Sequence, residues 1–208
     1  EILRKIGNVS WTKSILNIHA SEKIDLNSKF YRRLAYDEVL ANLLVLSQVR
    51  KKIRKLKKKN KNFDNKISKK IKENFNFTLT HGQEKIINEI DSDLKSNFRM
   101  FRLLQGDVGS GKTIISLMAG ANVIRSGYQV ALMAPTEILA KQHFILAKKM
   151  FNLTSVNIKF LTGKTDRKEK KIIQKSLLNG DVNFLIGTHA LFQKDTIFKK
   201  LGLVIIDE

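Results

Sequence analysis

Cysteine is absent from these 208 residues, and there is a single proline and a single tryptophan. Without cysteine there can be no disulfide framework and no thiolate metal site. No run of about 18 apolar residues occurs, so no membrane-spanning helix is expected. The opening residues Glu1-Ile2-Leu3-Arg4-Lys5 are not followed by the apolar core of a signal peptide. A soluble, cytoplasmic protein is therefore expected. No initiator methionine begins the chain, which suggests a piece of something longer. The histidines His19, His81, His143 and His189 lack metal-ligand spacing, so each reads as a surface or core histidine. Acidic residues are scarce: 39 Lys plus Arg stand against 19 Asp plus Glu, a formal net charge of +20. Such an excess attracts polyanions over long range. A composition rich in Lys, Asn and Ile also follows from AT-rich coding, so charge alone leaves nucleic-acid binding open. With 42% hydrophobic residues, the length suffices for one well-packed domain plus additional helical structure.

Residues 1–27 are mixed, with Trp11, Leu16 and Ile18 as candidate packing anchors. Ser28, a good N-cap, precedes a segment without Gly or Pro from Lys29 to about Lys59. Phe30, Leu34, Val39, Leu43 and Leu46 fall near helical spacing, which predicts a long helix. Its end, Arg50 to Lys59, is almost purely basic. Two readings stay open for this run: a solvated helix end or linker, or an arm that contacts phosphates. Beyond Phe75 the character changes. Strands are predicted at Phe101–Gln105, Gln129–Ala134, Val156–Leu161, Phe184–Gly187 and Leu203–Ile206. Helices are predicted after the first of these through Ile124, at Glu137–Phe151 and at Asp166–Leu178, with a short helical piece near Ala190–Gln193. Strands that read as continuous apolar runs and alternate with helices argue for a parallel sheet covered on both faces.

Gly106-Asp107-Val108-Gly109-Ser110-Gly111-Lys112-Thr113 fits G-x-x-x-x-G-K-[ST] without a deviation. A loop that wraps a phosphate must turn its backbone N–H groups inward. That requires backbone angles cheap only for glycine, hence Gly106, Gly109 and Gly111. The helix that follows points its partly positive N-terminus at the phosphate. Lys112 is expected to reach the β- and γ-phosphates of ATP, and Thr113 to offer its hydroxyl to Mg²⁺. Farther on, Leu203-Val204-Ile205-Ile206-Asp207-Glu208 is an apolar run ending in two carboxylates. A buried strand in a parallel sheet would deliver them to the mouth of the phosphate loop. Asp207 is expected to hold Mg²⁺, and Glu208 to orient the attacking water.

At this point the chain resembles the RecG family of ATP-dependent DNA helicases, within helicase superfamily 2. Arg32-Arg33-Leu34-Ala35-Tyr36-Asp37-Glu38 looks like the helix leading into that family's motor. Phe77-Thr78-Leu79-Thr80 with Gln83 looks like its Q-type motif, with Asn76 where the family usually has Pro. Leu103 to Thr113 is similar to motif I, and Ala131-Leu132-Met133-Ala134-Pro135-Thr136-Glu137-Ile138-Leu139-Ala140 to motif Ia. Leu161-Thr162-Gly163 and Gly187-Thr188-His189-Ala190-Leu191 resemble the DNA-facing motifs Ib and Ic. Asp207-Glu208 resembles the start of motif II. The transcription-repair coupling translocases share the Gly-Asp-Val-Gly loop. They typically carry Phe where Ser110 stands and Pro-Thr-Thr where Pro135-Thr136-Glu137 stands.

The resemblance implies a RecA-like α/β domain over 76–208, preceded by a helical linker over 1–75 that includes the trailing end of a wedge region. It implies ATP and Mg²⁺ as cofactors. Branched DNA (stalled forks, Holliday junctions) and single-stranded DNA are the implied partners, and the parent enzyme is implied to be monomeric. A second motor lobe and a wedge domain would complete that enzyme. Pro135, Thr136, Thr162, Gly163, Thr188 and His189 would contact the DNA backbone. Plainer readings stand beside these. Thr136 also reads as an ordinary N-cap, and the other rim residues as plain loop positions. Gln83 reads either as an adenine reader or as the last member of a Thr80-His81-Gly82-Gln83 capping box. Three other functions remain open: a truncated fragment that binds ATP and DNA without turnover, a transcription-repair coupling type translocase, and a P-loop ATPase acting on protein.

Overall fold

The computed structural model describes residues 9–21, 23, 25–58, 60–64, 66–75 and 78–207, and only the backbone of residues 53, 54, 74 and 75. Residues 1–8, Asn76, Phe77 and Glu208, to which the sequence assigned roles, lie outside the described residues. The chain forms two compact units, Glu1–Leu56 and Lys57–Glu208. Among the described residues no helix is long and apolar enough to cross a membrane.

The first unit holds α1 (Trp11–Ala20) and α2 (Lys29–Lys55). Each begins on a serine. Ser10 Oγ accepts from Lys13 N at 3.3 Å, and Ser28 Oγ accepts from Tyr31 N at 3.1 Å. These caps satisfy amides that the first helical turn leaves without partners. Arg33 ties the unit together by donating to Val9 O at 2.7 Å and pairing with Asp37 at 2.9 Å. Trp11 and Leu16 are exposed, so they are not the anchors expected of them; the face of α1 that turns inward carries Ser14, Ile15 and Ile18. Of the helically spaced apolar residues on α2, Val39, Leu43 and Leu46 are exposed.

The second unit contains α3 (Lys66–Phe75), α4 (His81–Lys95), α5 (Lys112–Arg125), β1 (Gln129–Met133), α6 (Glu137–Met150) and β2 (Ile158–Leu161). It continues with α7 (Arg167–Asn179), β3 (Phe184–Gly187), a 3₁₀ turn (His189–Phe192) and β4 (Leu201–Ile206). The strands form one parallel sheet in the order β2-β3-β1-β4. Successive strand residues point to opposite faces, and the core divides accordingly. Val130, Leu132, Phe184 and Ile186 join residues of α3–α6 on one face. Met133, Leu161 and Leu185 join Ile173 and Leu177 of α7, and Leu191, on the other. The expected α/β architecture with both faces covered is therefore present.

Three expectations differ from the structure. Residues 101–105 form no strand; they run extended, with Phe101 66% and Leu103 80% exposed. A strand exists only by pairing, and this segment has no ladder partner among the described residues. It is held instead by Arg102, which pairs with Glu89 at 2.7 Å and Asp93 at 2.9 Å on α4. Secondly, β4 was expected to be buried, but it is the sheet edge and exposes Leu201, Val204 and Ile206. Thirdly, the second compact unit starts at Lys57 and not at 76. The reason is α3, which the basic composition hid. It buries Ile71 completely and places Ser68 Oγ on Asn122 Oδ1 of α5 at 2.6 Å. Asn122 Nδ2 in turn donates to Asp91 of α4 at 2.8 Å. Burial raises the Asp91 carboxyl above its ordinary range, against the opposing pull of that bond and of Lys95.

The basic run itself divides. Arg50–Lys55 end α2, whereas Lys58 Nζ donates to the carbonyls of Asp93 at 3.2 Å and Leu94 at 2.7 Å. A cation there satisfies the last acceptors of α4 and suits its dipole. Lys61 is buried, its ammonium 5.1 Å from the Tyr128 ring centroid.

Candidate nucleotide and nucleic-acid site

The loop between residue 105 and α5 departs from ordinary helix starts in one respect. Helices α4, α6 and α7 each carry a side-chain cap, from Thr80, Thr136 and Asp166. Helix α5 begins at Gly111 with no side-chain cap bond. Its first amides, with the positive end of the helix dipole, are thus left for an anion. Gly109 and Gly111 adopt φ of 81° and 87°, the left-handed region that the phosphate-loop pattern predicts. Gly106 does not share that conformation. A Cβ there would lie 2.8 Å from Ser110 Oγ, the end of an exposed side chain that can turn away. At Gly111 the positive φ is joined by crowding, since a Cβ would meet Gln83 Nε2 at 2.6 Å.

Gln83 is the neighbour that shapes this loop. Thr80 Oγ1 accepts from Gln83 N at 3.3 Å, and Gln83 Oε1 accepts from Thr80 N at 3.0 Å, so the capping box is formed. The amide Nε2 also donates to Ser110 O at 2.9 Å. The side chain thereby joins the start of α4 to the phosphate loop. One amide hydrogen and one lone pair remain for an adenine edge. Lys112 Nζ lies over the loop and donates to Gly106 O at 2.6 Å and Asp107 O at 2.7 Å. Asp107, Val108 and Ser110 are exposed around it.

A cavity of about 540 Å³ brings the two halves of the expected site together. It is lined by Gly106, Lys112 and Thr113 and by Val204, Ile206 and Asp207. Asp207 arrives there because β4 pairs with β1 and ends beside it, its N–H donating to Met133 O at 2.9 Å. One Asp207 oxygen, Oδ2, lies 2.6 Å from His143 Nε2 on α6. His143 is buried, as one of its two expected readings has it, but its contact was not foreseen. Nothing local could have shown it, because the partners are 64 residues apart in sequence.

The chemistry of the donors suits Mg²⁺ with a nucleotide. Mg²⁺ is commonly held by one or two protein oxygens, with phosphates and water completing the shell. Thr113 and Asp207 are a hydroxyl and a carboxylate on one cavity that also carries the loop and Lys112. Among the described residues no group of three or more His, Cys, Asp or Glu is suited to hold a metal ion.

The remaining site residues follow the same rim. Pro135 and Thr136 come just after β1, Thr162 and Gly163 after β2, and Thr188 and His189 after β3. Parallel strands place these C-terminal ends side by side with Asp207 after β4. Their exposure differs. Pro135, Thr136, Gly163 and His189 are exposed and Thr188 is half-buried, but Thr162 is only 4% exposed. At that corner the surface is formed by Gly163 and not by the Thr162 side chain. Thr136 also caps α6, its Oγ1 accepting from Leu139 N at 3.3 Å. Gly187 is fixed by crowding, because a Cβ would lie 1.8 Å from Leu161 O.

Comparison with known proteins agrees with this geometry. Residues 80–208 match the DEAD/DEAH box helicase family. The ATP-dependent DNA helicase RecG of Aquifex aeolicus is 42% identical over 200 residues, covering 93% of this chain and 25% of that protein. RecG of Thermotoga maritima is 44% identical over 184 residues, covering 86% of this chain and 23% of its own length. A solved structure of RecG bound to a three-way DNA junction superposes with a TM-score of 0.77 at 40% identity, covering 86% of this chain and 25% of that one. The chain thus spans about a quarter of the RecG proteins it matches. With the phosphate loop and Asp207 on one cavity, and a family match that covers both, the chain belongs to the DEAD/DEAH box helicases and is similar to part of the RecG helicases.

Proposed function

We propose that this chain is the front of a RecG-type motor, the lobe that binds ATP–Mg²⁺ and one face of the DNA backbone. The observation that carries this reading is the shared cavity of Lys112, Thr113 and Asp207, beside a rim of loops at the strand ends. Mg²⁺, when bound, supplies charge neutralisation of the phosphates. In this reading Thr113 and Asp207 hold it, and the amides of Gly106–Thr113 take the phosphates. Lys112 exchanges its contacts with Gly106 and Asp107 for phosphate oxygens, and Glu208 orients water. Gln83 keeps the loop in register and offers its remaining hydrogen-bonding capacity to adenine. Pro135, Thr136, Gly163, Thr188 and His189 take DNA phosphates, with Thr162 bracing its loop from below.

The parent enzyme would couple ATP hydrolysis to remodelling of branched DNA in recombination and repair, as a cytoplasmic monomer. The junction-bound RecG structure supports branched DNA as the substrate class. Its second lobe and wedge domain would supply the rest of the motor, and closure of the lobes would complete the ATP site. A second reading, binding without turnover by this piece alone, is favoured by the open placement of β4 at the sheet edge.

The test is ATP hydrolysis by this chain with and without forked DNA, beside Lys112→Ala. Turnover that rises with forked DNA and disappears in Lys112→Ala supports a working motor half. No turnover, with Mg²⁺–ATP binding that depends on Lys112, supports the second reading. Hydrolysis equal in the mutant and the wild type contradicts both.

A further inference from the structure

The contact between His143 and Asp207 has no part in the reading above. His143 sits in the middle of α6, its side chain 11% exposed, while the Asp207 carboxylate is 36% exposed. An ionised carboxylate only accepts hydrogen bonds, so His143 Nε2 carries the hydrogen and donates it to Oδ2 at 2.6 Å. The Asp207 backbone is already fixed by its N–H on Met133 O at 2.9 Å. A carboxylate on a fixed backbone still turns about its side-chain bonds. The imidazole removes that freedom by holding one oxygen, and Asp207 still lines the cavity it shares with Lys112 and Thr113.

The placement of α6 gives the contact a second consequence. Thr136 caps α6 at the exposed rim, and His143 lies seven residues later, about 10 Å along the same helix at 1.5 Å per residue. One rigid element therefore begins at a candidate phosphate contact and ends its second turn on the candidate metal ligand.

We infer that His143 is a positioning residue: its Nε2–H orients the Asp207 carboxylate for Mg²⁺ and ties that carboxylate to the rim through α6. This inference rests on the reading of Asp207 as a metal ligand. Groups that orient a ligating side chain commonly change metal affinity by about 10- to 100-fold when removed.

The experiment uses Mn²⁺ as the probe, its binding to this chain in the presence of ADP followed by electron paramagnetic resonance. Wild type is compared with His143→Leu, His143→Gln, His143→Asn and Asp207→Asn, each checked for an unchanged thermal melt. The Gln amide nitrogen reaches the position of Nε2, whereas the shorter Asn amide reaches only that of Nδ1. The expected result is about 10- to 100-fold weaker Mn²⁺ binding in His143→Leu and His143→Asn, and binding within about 3-fold of wild type in His143→Gln. ADP binding without metal should not change in any of the His143 variants. Wild-type Mn²⁺ affinity in His143→Leu, with Asp207→Asn weakened, overturns the role of His143 alone. Wild-type affinity in Asp207→Asn overturns the reading of the metal site itself. If His143→Leu does not fold, the Gln and Asn variants decide, and equal affinities in those two overturn the inference.

Discussion

Strands β3 and β4 flank the same neighbour, β1, and both are short, apolar and parallel to it. Every residue of β3 is buried, and its side chains reach into both core clusters. Strand β4 leaves Leu201, Val204 and Ile206 exposed and faces a cavity. The β3 side carries the packing that makes the lobe cohere. The β4 side carries the phosphate loop, Lys112 and Asp207, on backbone that is less covered. The cavity proposed to admit a nucleotide is thus set beside the packed region and not inside it, and the two sides should respond differently to substitution.

The largest difference is expected at Phe184, which is fully buried and meets Phe151 edge-on with ring centroids 6.0 Å apart. Phe184→Ala should cost about 3–5 kcal/mol of stability by urea unfolding. A loss below about 1 kcal/mol would show that β3 is not the centre of the core. On the other side, Gly111→Ala combines a φ of 87° with a Cβ placed 2.6 Å from Gln83 Nε2. It should cost about 1–3 kcal/mol and weaken nucleotide binding. Intact binding by calorimetry would mean the loop needs neither the conformation nor the close approach of Gln83.

Lys61 sharpens the comparison at the far end of β1. Its burial, and next the nearby Lys58, lower its ammonium from the ordinary 10.5 to about 8. Below pH 8 the folded and unfolded chains are both protonated there, and the cost of the buried charge is fully present. Between about 8 and 10.5 only the unfolded chain keeps the proton, so this group makes stability rise with pH. Relative to Lys61→Met, the wild type should gain on the order of 1 kcal/mol across that window. Melts at pH 7.5 and 10 that move in parallel for both proteins would contradict the assignment. The smallest effect belongs to Val204→Thr on the exposed edge, within about 0.5 kcal/mol of wild type. A loss as large as that of Phe184→Ala would erase the distinction between the strands.

The parts legible in the sequence were those whose cause is local. Gly109 and Gly111 mark a turn by their own conformational freedom, Ser28 and Thr80 mark helix starts by their own hydroxyls, and β3 reads as strand because both its faces are apolar. Residues 101–105 also carry three apolar side chains, beside Arg102 and Gln105, but form no strand, because a strand is decided by its partner. Helix α3 was not separated in the sequence from the linker that runs to residue 75, and only the buried Ile71 and Ser68 disclose its inward face. The deep position of Thr162, like the pairing of His143 with Asp207, depends on how distant segments pack. The DNA-facing role of the rim came from family resemblance. The structure adds where those residues stand: Pro135, Gly163 and His189 on the surface, and Thr162 beneath it.

The central claim is that the phosphate loop and Asp207 form one nucleotide site. Calorimetric titration of ATP into this chain with Mg²⁺, beside Lys112→Ala, tests it most directly. The account predicts saturable binding in the wild type, weaker without Mg²⁺ and lost in Lys112→Ala while the thermal melt is unchanged. Equal ATP affinity in the two proteins would contradict it.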